Sequence, residues 1–134
     1  MTLIERYSGI QSILKVVGSE GCHFLALCSI AEESTGKNID LINTIRMSQS
    51  KGWVASDFLV RDALSFLNWL TGRKWTRKEV AKLGDIHDND YTEAVYFNPR
   101  TGLRHFRRRG FDTLNSSKTV DEGHIEKYYV YTTE

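Results

Sequence analysis

The hydrophobic period changes once along this chain, from the three-and-four spacing of helices to the alternation of strands. That change constrains the fold more than any other feature. Leu3, Tyr7, Ile10, Leu14 and Val17 recur at helical intervals until Gly18 ends the run. After Gly18-Ser19-Glu20-Gly21, the segment CHFLALCSIAEES is apolar nearly all round before its polar tail, which predicts a buried helix stopped by Gly36. A third helix is expected from Asp40 to about Ser48, with Leu41, Ile42 and Ile45 inward. A fourth is expected over FLVRDALSFLNWLTG, capped by Asp57 and stopped by Gly72, with Phe58, Val60, Leu64, Leu67 and Leu70 turned inward. TRKEVAKL reads as one more short helical piece.

From Tyr91 the pattern is that of strands: YTEAVYF, LRHFRR, FDTL and the terminal HIEKYYVYTT, rich in aromatic and β-branched residues. Asn98-Pro99-Arg100-Thr101-Gly102 between the first two is hairpin chemistry, with proline presetting φ and glycine taking the left-handed position. Helices first and an antiparallel sheet second make an α+β fold, with N-terminal helices packed on a C-terminal sheet. The 134 residues suffice for one domain with its own core, and neither a linker nor a repeat divides them, so 1–134 reads as a single domain.

Composition narrows the function classes. Eighteen basic against seventeen acidic residues leave a formal charge of +1, so a basic site must be local. Cys22 and Cys28, six residues apart, match neither a redox pair nor a metal knuckle and cannot form a disulfide framework. Glu5 and Arg6 stand where a secretory peptide would be apolar, and no run is long enough to span a membrane. A reducing, cytoplasmic setting is expected, with no membrane partner.

Cys22 opens the buried helix. A thiol there meets the positive end of the helix dipole and free backbone N–H groups, which favour thiolate. It reads either as a nucleophile, with its own amide as an oxyanion donor, or as a small core residue beside Phe24, Leu25 and Leu27. Cys28 points away from it and reads as core. Of His23, His87, His105 and His124, His105 has a checkable acid partner. If Arg109-Gly110 is a two-residue turn, Asp112 becomes a diagonal cross-strand neighbour of His105 on one face. An odd turn would separate them.

These residues together resemble the papain-like cysteine peptidase superfamily. They are Gly21-Cys22-His23-Phe24-Leu25 opening a helix, His105-Phe106, Asp112, and Ser116-Ser117-Lys118-Thr119-Val120-Asp121-Glu122-Gly123 before a terminal strand. The nearest likeness is to its compact branch, which includes bacteriocin-processing peptidases and small phage and bacterial proteins. The resemblance covers residues 18 to 131 and implies a papain-like fold. It implies Cys22 as nucleophile, His105 as general base and Asp112 as the group orienting the imidazole, acting on a peptide or isopeptide bond with no cofactor or metal. The sequence departs from that pattern in three ways. No glutamine precedes the cysteine closely, Gln11 lying in another expected helix; His23 stands where many relatives have glycine; and His105 and Asp112 are closer together than usual.

A second reading starts from charge. Arg100, Arg104, Arg107, Arg108 and Arg109 fall within ten residues, with only Asp112 opposing them locally. Such a hairpin suits an acidic protein or a nucleic-acid backbone, and the chain would then be a catalytically inactive papain-like binding module, for instance a phage or mobile-element protein blocking a host factor. It also suits a solvated sheet edge. Asp85, His87, Asp88 and Asp90 lack ligand spacing and read as a hydrated loop. Trp53, Trp69 and Trp75 read as packing between helix and sheet rather than as a ligand box.

Overall fold

The computed structural model describes residues 22–81, 91–100, 102–107 and 124–133. The helix expected over 2–17, the FDTL strand, the Arg109-Gly110 turn and the Asp85 to Asp90 cluster lie outside the described residues. Within them are helices α1 (Cys22–Thr35), α2 (Leu41–Ser50) and α3 (Ala63–Thr71), followed by strands β1 (Trp75–Val80), β2 (Tyr91–Asn98), β3 (Leu103–Arg107) and β4 (His124–Thr133). All pairings are antiparallel, in the order β1-β4-β2-β3. The fold is α+β.

Helix α1 is the centre of the core. Phe24, Leu25, Leu27, Cys28, Ile30 and Ala31 are all buried, as expected of a segment apolar on every side. It packs on α3 and β3. Phe24 stacks on Phe66 with ring centroids 5.3 Å apart and meets Phe58 edge-on at 5.9 Å. Gly36, at φ +69°, ends α1 in the left-handed region, and its N–H bonds the Glu32 carbonyl at 2.9 Å.

Asp40 caps α2, its side chain accepting the Asn43 N–H at 3.0 Å. Leu41 is buried there, but Ile42 is 50% exposed, which corrects the inward placement expected for it. The inward stripe continues through Thr44 and Ser48, at the three- and four-residue steps that keep one helical face. Ser48 is tolerated inside because its hydroxyl donates to the Ile45 carbonyl at 3.1 Å.

The helix expected from Asp57 starts five residues later. Asp57 instead accepts the Leu59 N–H at 3.2 Å in a local turn, Phe58 takes φ +68°, and Val60 pairs with Val54 in an isolated antiparallel bridge. Tertiary pairing has withdrawn FLVR from the helix, and the cap passes to Asp62. Its carboxylate accepts the Ser65 N–H at 3.0 Å and the Ser65 hydroxyl at 2.7 Å. Those two bonds, the hydroxyl's first, hold the Asp62 carboxyl below the usual range. Asp62→Ala is therefore expected to cost about 1 kcal/mol in urea denaturation at neutral pH. Because the folded-state pKa is depressed, the cap contributes fully above the unfolded value, and the gap between the two proteins should close as pH falls through the folded one.

TRKEVAKL is not helical over its first half, where Thr76 to Val80 belong to β1. Thr76, Arg77, Lys78 and Glu79 are exposed and carry little packing information. What decides the conformation is pairing with β4, from Trp75 opposite Thr133 to Val80 opposite Tyr128. Thr76 meets Thr132 at 2.9 Å and Lys127 meets Glu79 at 3.1 Å across that pair. The β2–β3 hairpin follows expectation: Gly102, at φ +72°, donates to the Asn98 carbonyl at 2.8 Å, and the Arg100 N–H donates to the Asn98 side chain at 3.0 Å. A register shift between Val95 and Tyr96 places Val95 opposite Lys127 and Tyr96 opposite Ile125, which leaves Glu126 as the extra residue of a β-bulge.

Trp75 packs between helix and sheet as expected, whereas Trp69 is 37% exposed and pairs with Trp53 instead. Trp75 is buried, edge-on to Tyr91 at 5.5 Å, with its indole N–H donating to Thr71 at 2.8 Å. Trp53 and Trp69 lie 5.8 Å apart beside α3. Among the described residues no helix is long and apolar enough to cross a membrane.

Candidate active site

Cys22 is the first described residue of α1 and is buried, 7% exposed. Its Sγ accepts the Phe106 N–H at 3.5 Å. That amide belongs to β3, an edge strand among the described residues, so the helix start abuts the rim of the sheet. The expected environment of amide donors is present, because the Phe106, His23 and Cys22 N–H groups all favour thiolate. Burial outweighs them, and with the Glu93 charge it pushes the thiol above its ordinary range. The resting group is a protonated thiol. Cys28, with no exposed surface, is a core residue whose burial raises its thiol further.

His105 is also buried and sits one residue before the amide that reaches Sγ. Standard covalent geometry then puts its Cα within about 6 Å of the sulfur. Alternation along β3 sends the His105 and Phe106 side chains to opposite faces. Phe106 faces α1, where its ring stacks on His23 at 4.2 Å. The side chain the fold brings onto the α1 face next to Cys22 is therefore His23. Asp112, Arg108 and Arg109 lie outside the described residues, as does Gln11, and Arg107 is placed only by its position on β3.

His23 is part of a buried network that sequence reasoning missed. Its Nδ1 lies 2.6 Å from Glu93 Oε2, and Glu93 has no exposed surface. The second carboxylate oxygen accepts the Tyr131 hydroxyl at 3.1 Å. Burial, reinforced by the Glu93 charge, drives the Tyr131 phenol far above its usual range, so it remains a donor. Arg77 faces Tyr131 in the β1–β4 register and lays its guanidinium over the Tyr129 ring, 4.3 Å from the centroid. The available signal was parity: Glu93 falls between Tyr91 and Val95 on the inward alternation of YTEAVYF, where a carboxylate needs a partner.

The arginine cluster is partly neutralised where it is described. Arg104 is exposed, contacts Glu126 at 3.2 Å and lies over the Phe97 ring at 4.8 Å. Asp112 is therefore not the only acid opposing the cluster, since the bulge residue Glu126 reaches it from β4. His124 is exposed and meets Phe97 edge-on at 6.1 Å. Among the described residues no three side chains are grouped to hold a metal ion. Compared with protein-family models, with curated proteins and with solved structures, the chain matches none of them.

Proposed function

We propose that this chain is a thiol-dependent amide hydrolase of papain-like type. Cys22 is the nucleophile, His105 its base, and Asp112 the residue that orients the imidazole. The observation that carries the reading is the contact between Cys22 Sγ and the Phe106 N–H, which brings a helix-opening thiol to the edge of the strand that carries His105. Since the His105 side chain leaves β3 on the face away from α1, its role as base requires the imidazole to reach the sulfur around that edge. On substrate binding, His105 takes the thiol proton as sulfur attacks the carbonyl carbon of a peptide or isopeptide bond. The Cys22 amide faces the oxyanion, His105 protonates the leaving amine, and water then hydrolyses the thioester, restoring the thiol. No cofactor enters this scheme.

The test is turnover of peptide and isopeptide-linked fluorogenic substrates by the full chain. Cys22→Ala and His105→Ala are each expected to lower kcat by about a thousandfold or more, with folding unchanged by circular dichroism. Turnover that survives Cys22→Ala overturns the reading. One observation favours the second reading, a non-catalytic papain-like module binding an acidic protein or nucleic acid: the thiol is buried and raised. That reading predicts no turnover, and capture of an acidic partner that is lost when Arg107 and Arg108 are reversed to glutamate.

A further inference from the structure

We propose that Glu93 acts on Cys22 through His23, the carboxylate fixing the imidazole, the imidazole fixing the first turn of α1, and that turn setting where the sulfur meets the edge of β3. This inference rests on reading Cys22 as the reacting thiol. Among the described residues two tethers hold the start of α1 to the sheet, and they go to different strands. Cys22 Sγ binds the Phe106 amide on β3, while the neighbouring His23 binds Glu93 on β2. A fully buried carboxylate is retained only at the cost of satisfying both oxygens, and here they are satisfied by His23 at 2.6 Å and Tyr131 at 3.1 Å. The imidazole is held in addition against aromatic rings, stacked on Phe106 at 4.2 Å and tilted to Tyr129 at 6.3 Å. A ring held at one nitrogen and stacked on one face has little freedom, and the Cys22–His23 peptide unit inherits that restraint.

The same arrangement gives Glu93 an electrostatic hold on the thiol, since its charge opposes thiolate formation from across the first turn. The groups facing the pair are Cys22 from α1, Tyr129, Tyr131 and Lys127 from β4, and Arg77 and Glu79 from β1. Lys127 and Glu79 bond each other, and Arg77 lies against Tyr129 and Tyr131, so His23 is the group with a cationic form that bonds Glu93 directly among the described residues.

The experiment is the pH dependence of iodoacetamide alkylation of Cys22 in the native, full-length protein carrying Cys28→Ala. Glu93→Gln keeps an acceptor for the imidazole and removes the charge. It is expected to shift the rate profile to lower pH and to speed alkylation at pH 7 about three- to tenfold. His23→Phe keeps the stack on Phe106 and removes the tether, and it is expected to raise the limiting rate at high pH as the first turn loosens. Both variants must retain the native circular dichroism spectrum, which a merely structural lesion would not. If Glu93→Gln does not fold, the His23→Phe limiting rate alone decides. Profiles of the folded variants that superimpose on that of the parent overturn the inference. Shifted profiles in a protein without turnover support the inference and overturn the hydrolase reading, whereas unshifted profiles in an active enzyme do the reverse.

Discussion

Phe24→Ala is expected to remove about 3–5 kcal/mol of stability, the usual cost of deleting a fully enclosed aromatic ring. The ring has no exposed surface and lies between Phe66 of α3 and Phe58 of the preceding loop. Its loss leaves a cavity where α1 meets α3, and the neighbouring rings are themselves held by other contacts. Against a total stability of roughly 5–15 kcal/mol, this is enough to bring the protein near its unfolding threshold at 37 °C. Urea denaturation followed by far-UV circular dichroism measures it. Phe24→Leu, which refills part of the volume, should fall well short of the alanine cost. A loss under about 1 kcal/mol for the alanine variant would show that α1 is not enclosed between these rings.

His23→Leu should be the second most damaging change, at about 3 kcal/mol, because it leaves the buried Glu93 carboxylate without its directly bonded imidazole. The diagnostic comparison is with the double variant His23→Leu/Glu93→Leu. Removing both members of a buried polar pair leaves no uncompensated charge, so the double variant is expected to be more stable than His23→Leu alone. Tyr131→Phe, which removes one donor to Glu93, should lie between the parent and His23→Leu. If the double variant is less stable than His23→Leu by the full cost of a second deletion, the two residues act independently and the network is not a unit.

The elements with a strong local signal were legible from the residues. The apolar run from Cys22, the glycine stops at Gly36 and Gly72, the helix near Asp40 to Ser48, the hairpin at Asn98 to Gly102 and the terminal strand all stand as read. Each depends on interactions a few residues apart, which local spacing records. The start of α3 did not follow local preference, because Asp57 and Asp62 are equally good caps and the bridge between Val54 and Val60 chose the later one. β1 was read as helix for the same reason, since exposed Thr, Arg, Lys and Glu accept either conformation until β4 supplies a ladder.

The site divides in the same way. Sequence by itself put a cysteine at the start of a buried helix, a histidine on a strand of an antiparallel hairpin, and Cys28 in the core. Only the tertiary structure decided that Cys22 rests against the edge of β3, that burial there overrides the helix start in setting its protonation, and that Glu93 reaches from β2 to hold His23. These contacts join residues 84 and 70 positions apart. Local periodicity carries no record of such distances, because strand order and register, not spacing along the chain, determine which side chains meet.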